Sequence, residues 1–108
     1  MTSSMNNIFE HIPAEISSEL FETLLSGENL RIERIVSKGQ VSPATGWYDQ
    51  DEHEWVLVLK GAAVIEFAEH APIHLHGGSY LNIAAHTRHK VAWTDPDVET
   101  VWLAIFYR

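Results

Sequence analysis

Residues 54–61 read EWVLVLKG, and their reading decides the fold. In an extended chain, side chains alternate between faces. Glu54, Val56 and Val58 then share one face, and Trp55, Leu57 and Leu59 the other. Both faces are apolar, so both need cover. The same kind of segment recurs outward in both directions: Leu30–Val36, AAVIEF (62–67), APIHLH (71–76), SYLNIA (79–84), HKVAW (89–93) and VETVWLAIFYR (98–108). Each is short and bounded by Gly, Pro, Asn, Asp or a charged pair. Short strands at regular spacing with turn signals predict an all-β sandwich or barrel. No helix-length segment lies between them, which disfavours parallel βαβ winding.

Upstream the period changes. Residues 1–15 read as an irregular lead-in. In SSELFETLLSG, Leu20, Phe21, Leu24 and Leu25 recur at helical spacing, Ser17 or Ser18 can cap, and Gly27 can terminate. The sequence thus predicts one short helix near 17–26, in an N-terminal extension (1–28) packed on a single β-barrel domain (29–108).

The chain has 108 residues, one domain's worth, with 45% hydrophobic and 20% charged residues. Net charge is −8, from fifteen Asp and Glu against seven Lys and Arg. That lacks the basic footprint nucleic acid requires. No apolar run approaches the roughly 20 residues that cross a bilayer, and the N-terminus lacks the pattern of a signal peptide, so the expectation is a cytoplasmic protein without membrane contact. Cysteine is absent, which removes disulfides and thiolate chemistry. Phosphate-loop, dinucleotide and nucleophile-elbow motifs are absent too. The last strand, Val101 to Tyr107, is apolar on both faces. The surplus outward surface, with Trp55 and Trp102 in it, predicts a homodimer; the competing reading is that the helix alone covers it.

Three residue sets can carry chemistry. Glu54 shares a face with Val56 and Val58, and His89 shares one with Val91 and Trp93. A carboxylate aimed into a barrel is costly unless paired or metal-bound. Carboxylate plus imidazole suits Fe(II), Mn(II), Ni(II) or Zn(II). Glu54 in water at the barrel mouth, with His89 bonded to backbone, is the plain alternative. The second set is WYDQDEHE (47–54), which crowds Asp49, Asp51, Glu52, His53 and Glu54; it is a solvated turn or a source of further oxygen ligands. The third is His74 and His76 in IHLHGG, on one strand face, with Ile73 and Leu75 as the buried partners.

EWVLVLKG together with GGSYLNIAAHTRHKVAW resembles the two motifs of the cupin superfamily, small β-barrels with a site inside the barrel. Glu54 and Gly61 have the spacing of the first motif, and Gly78 and His89 are in register with the second. Ala84, His86 and Trp93 replace that motif's Pro, Gly and Asn. The resemblance covers about residues 30–107 and extends to a group of small single-domain bacterial cupins of unassigned function. It implies a double-stranded β-helix (jelly-roll) barrel. The family's His-x-His before the Glu is missing: those positions hold Trp47 and Asp49, or Tyr48 and Gln50. The resemblance therefore implies a reduced metal set of Glu54, His89 and Asp49, with Tyr48, Gln50 and Trp93 contacting a small-molecule ligand. Two functions follow as expectations: a divalent-metal enzyme acting on a small molecule, or a metal-free binder of a small polar or sugar-like ligand. A dimer without pocket chemistry is the third reading.

Overall fold

In the computed structural model, residues 5–108 are described. These described residues hold eight strands: β1 (Leu20–Gly27), β2 (Leu30–Ser37), β3 (His53–Lys60), β4 (Ala62–Phe67), β5 (Ile73–His76), β6 (Tyr80–Ile83), β7 (His89–Thr94) and β8 (Thr100–Tyr107). They form a five-stranded sheet, β1-β2-β8-β3-β6, and a three-stranded sheet, β5-β4-β7. All pairings are antiparallel. Among the described residues no helix is long and apolar enough to cross a membrane.

The alternation read in EWVLVLKG sets the core. Val56 and Val58 are buried between the sheets, and across the ladder Val58 faces Trp102 and Val56 faces Ala104. Ile35 and Phe106 complete this wall, and Ile65 and Leu75 face it from the smaller sheet. Trp102 is therefore an inward residue, 3% exposed, and not part of the outer surface expected for it. The inward set on β8 is Trp102, Ala104 and Phe106, fixed by register with β3. Trp55 does lie on the outer face, half-buried with its ring 5.7 Å from that of Tyr80.

The helix expected at 17–26 does not form. Leu20–Gly27 is the edge strand β1, joined to β2 by a two-residue turn, Glu28 and Asn29, with Asn29 at φ 62°. These residues lie instead on a strand with a bulge between Thr23 and Leu25, and Leu24 and Leu25 stay at least half exposed. A bulge inserts an extra residue and so shifts which side chains face in. Backbone pairing with Leu30 to Val36 of β2 outweighs a weak local preference. β1 belongs to the larger sheet, so strand pairing runs straight across residue 28.

Two features place the site. The long connection after β2 runs along β7 and bonds to it at two points. Ser42 exchanges backbone bonds with Val91 (3.1 and 2.7 Å), and Tyr48 with His89 (2.7 and 3.1 Å). Tyr48 is thereby locked beside His89. The segment before β1 is held by Arg34, which is 4% exposed and donates to the carbonyls of Ile8 (3.0 Å) and Glu10 (2.6 Å) while pairing with Glu22. Gln40 adds a bond to the Ile16 carbonyl.

Gly61 ends the first motif for a steric reason. Its φ is +94°, and a Cβ there would lie 2.4 Å from Thr100 Oγ1 and 2.6 Å from Thr100 Cα. Thr100 is fully buried, with its hydroxyl donating to the Ala62 carbonyl at 3.1 Å. It has no room to retreat. Gly61→Ala is expected to lower the unfolding free energy by about 2 kcal/mol or more. Urea denaturation checks this; a loss within about 0.5 kcal/mol would contradict the packing described.

Candidate functional site

A cavity of about 210 Å³ opens between the two sheets. Its inner wall is apolar, with Ile35, Val56, Ile65, Ile83, Trp102 and Phe106. Polar groups gather on one side: Glu54 from β3, His89 from β7, Tyr48 and Gln50 from the connection, and Glu19 and Ser42. Each arrives by the rules that build the strands. Glu54 follows Val58 and Val56 on the inward face, and His89 follows Val91.

The His89 ring is fixed at both ends. Nδ1 lies 2.7 Å from the Thr87 carbonyl. A carbonyl only accepts, so Nδ1 carries a proton. Nε2 then faces Glu54 Oε1 at 3.4 Å, with both side chains almost fully buried. Without a second proton the Nε2 lone pair would meet a carboxylate. Burial pushes His89 down, but the Glu54 hydrogen bond, the Thr87 carbonyl and the Glu54 charge outweigh it, and the net shift is upward. The same Glu54 oxygen accepts from Gln50 Nε2 at 3.0 Å. Tyr48 tilts against His89 with ring centroids 5.5 Å apart. Burial raises the Tyr48 hydroxyl; the bond to Ser42 opposes this, and the Glu19 and Glu54 charges add to it. Glu54 and His89 thus make a buried proton-holding pair with two neutral hydrogen-bonding neighbours.

Two residues expected at the site lie elsewhere. The Asp49 carboxylate bonds to His86 Nδ1 at 2.8 Å, and both side chains are largely exposed. Trp93 is 44% exposed and absent from the cavity wall. The reason is a bulge in β7: Ile65 pairs with Val91 but Val64 with Trp93, so Ala92 is the extra residue. Beyond it the alternation flips, Thr94 turns in and Trp93 turns out. On β5, His74 and His76 are exposed while Leu75 is buried, as strand alternation requires.

The sequence reading missed Glu19 and Arg31. Glu19 sits just before β1, accepts a short hydrogen bond from the Ser37 hydroxyl and interacts with Ser42. Burial holds its carboxyl above the usual range, and these hydroxyls only partly offset that. Its placement in a presumed helix hid it; the signal available was its two-residue spacing from Phe21, which also lines the cavity. Arg31 lies over the Phe106 ring at 4.2 Å and bonds to Glu33 (2.8 Å) and Glu52 (3.4 Å).

His89 and Glu54 are the residues that would hold a divalent ion here, since imidazole and carboxylate are ordinary ligands for one, and such an ion would supply Lewis-acid polarisation. A third ligand is what the site lacks. Asp49 is turned to His86, and among the described residues no three His, Cys, Asp or Glu groups converge. The donor set therefore does not fit a resident metal held by three protein ligands, and the geometry supports hydrogen bonding and proton exchange instead.

Several solved structures match the chain. A "putative mannose-6-phosphate isomerase" from Ralstonia eutropha JMP134 is 43% identical, with a TM-score of 0.91, over 97% of this chain and 98% of its own. A cupin superfamily protein from Desulfitobacterium hafniense DCB-2 is 22% identical, with a TM-score of 0.72, over 89% and 83%. An RmlC-like cupin with a double-stranded β-helix fold from Methanocaldococcus jannaschii is 13% identical, with a TM-score of 0.72, over 99% and 92%. No family model matches the sequence, and no curated protein does.

Two of the three raised groups, Glu19 and His89, shape stability between acidic and neutral pH in one direction. Glu19 and His89 are raised from 4.5 and 6.5. The folded state therefore binds their protons more tightly than the unfolded chain does. The stability they contribute is complete below those values and is lost as pH rises through the folded ones. Tm is expected to fall as pH climbs from mildly acidic through neutral. Glu19→Gln and His89→Gln should each flatten part of that fall. Identical profiles for the variants and the parent would refute the assignment.

Proposed function

The chain belongs to the cupin superfamily, and on that premise we propose that its barrel cavity binds a small, hydroxyl-bearing molecule through Glu54 and His89, without a resident transition metal. The observation that carries this reading is the buried Glu54–His89 pair at 3.4 Å in the wall of a 210 Å³ cavity. Drug-sized ligands occupy roughly 300–1,000 Å³, so this cavity suits a metabolite. Apolar walls supply contact area, and a few polar groups set orientation. Glu54 and Gln50 accept and donate, Tyr48 presents its hydroxyl, and His89 holds an exchangeable proton at Nε2. Fe, Mn, Ni or Zn on Glu54, His89 and Asp49 is the alternative that the displaced Asp49 argues against.

The name carried by the Ralstonia protein favours a second reading, a sugar-phosphate isomerase. The Glu54–His89 pair has the means to move a proton for such a reaction. A phosphate needs a free cationic partner, and Arg31 is already engaged by two carboxylates.

The outer surface supports a homodimer, although by a different face from the one Trp102 was expected to occupy. Strand β1 is an edge of the larger sheet, and Leu24 and Leu25 on it are at least half exposed. An apolar edge left open invites pairing, and a second copy of β1 offers the matching strand. Leu25→Glu is expected to convert a dimer to a monomer in sedimentation velocity; an unchanged sedimentation coefficient would exclude this edge.

Elemental analysis of protein purified without a polyhistidine tag tests the binding reading, combined with thermal unfolding against a sugar and polyol panel. The expected outcome is substoichiometric transition metal and a ligand that raises Tm. At about a hundred times its Kd, such a ligand adds about 2.7 kcal/mol, several degrees for a domain of this size. Glu54→Ala and His89→Ala should abolish the increment. A stoichiometric metal lost in both variants, or turnover of mannose 6-phosphate, would overturn the reading.

A further inference from the structure

We infer that the cavity selects a small organic cation, its ammonium group seated between Glu19 and Glu54, and rejects phosphorylated or carboxylated ligands. This rests on the cavity reading above and assigns the charge of its ligand. The argument is a balance of charges around one hollow. Glu19 and Glu54 line it, and Glu33 and Glu52 stand behind Arg31. Against these four carboxylates stand one guanidinium and one imidazole, and both are engaged. Arg31 is held by Glu33 at 2.8 Å and Glu52 at 3.4 Å, and His89 by Glu54. Glu19 has no cationic partner among the described residues and is supported by hydroxyls alone.

A largely desolvated carboxylate without a counter-charge is costly. A ligand ammonium would supply that charge, whereas an anion would add to the excess. The remaining walls suit the same guest. Phe21, Tyr48, Trp102 and Phe106 all face the cavity, and aromatic faces attract cations by about 0.5–2 kcal/mol. The Arg31 guanidinium already uses the Phe106 ring in this way at 4.2 Å. Trp102 Nε1 is buried without a hydrogen-bond partner, which makes its indole proton a sensitive reporter of events at this wall.

The test is an NMR titration of the full chain with three ring-matched probes: cyclohexylamine, cyclohexanol and cyclohexanecarboxylate. The Trp102 indole resonance and the methyls of Ile65 and Val91 give the readout. Cyclohexylamine is expected to bind at least about tenfold more tightly than cyclohexanol, with no saturable response to the carboxylate. Glu19→Gln should erase most of that preference, and so should Glu54→Gln. If either variant fails to fold, the ranking of the three probes on the parent chain decides alone. Equal or tighter binding of the alcohol or the carboxylate overturns the charge assignment and leaves the cavity reading standing. No response of the wall resonances to any probe overturns both.

Discussion

A single hydrogen bond, His89 Nδ1–H to the Thr87 carbonyl, decides what the cavity presents to a ligand. Since Nδ1 is committed to backbone, only Nε2 is left to face Glu54. The bond holds because the His89 backbone is itself clamped, to Phe67 of β4 on one side and to Tyr48 on the other. A ring fixed at its backbone and at one nitrogen has little orientational freedom. Glu54, carried to the same hollow by the alternation of β3, meets it at 3.4 Å, where its charge favours the protonated ring. The polar wall thus follows from strand register at two positions far apart in sequence.

Around that pair the electrostatics are one-sided. The guanidinium nearest the cavity is neutralised by its own neighbours, and the polar groups added by the segment before β1 are acidic or neutral. Arg34 explains how this segment reaches the cavity. Its buried guanidinium gathers two carbonyls and Glu22, docking residues 8–10 on the outer side and directing the chain into β1. The carboxylate at Glu19 then lines the hollow, accepting a hydrogen bond from the Ser37 hydroxyl. The site is therefore a joint product of the barrel and its N-terminal segment.

Much of this was legible in the sequence wherever strict alternation held. Glu54, Val56 and Val58 face inward as their spacing demands, and Gly61 and Gly78 adopt φ +94° at the turns the motifs mark. Legibility ended where the period was broken. The β7 bulge at Ala92 reverses the direction of Trp93, and the bulged strand β1 leaves Leu24 and Leu25 exposed on a sheet edge despite their helical spacing. Bulges leave no periodic trace of their own. Trp102 was misplaced for another reason: with both faces of β8 apolar, composition cannot choose the inward one, and only the register against Val58 does. Asp49 is turned away from the cavity because its partner, His86, is supplied by a distant turn.

The most direct test of the account is the protonation of His89, observed by long-range ¹H–¹⁵N correlation across a pH series. The account requires the Nδ1–H tautomer in the deprotonated ring, and a midpoint above the ordinary value of 6.5 that drops in Glu54→Gln. A neutral ring protonated at Nε2 would contradict the Nδ1–H bond to Thr87, and a midpoint indifferent to Glu54 would show that the two side chains do not meet in the cavity.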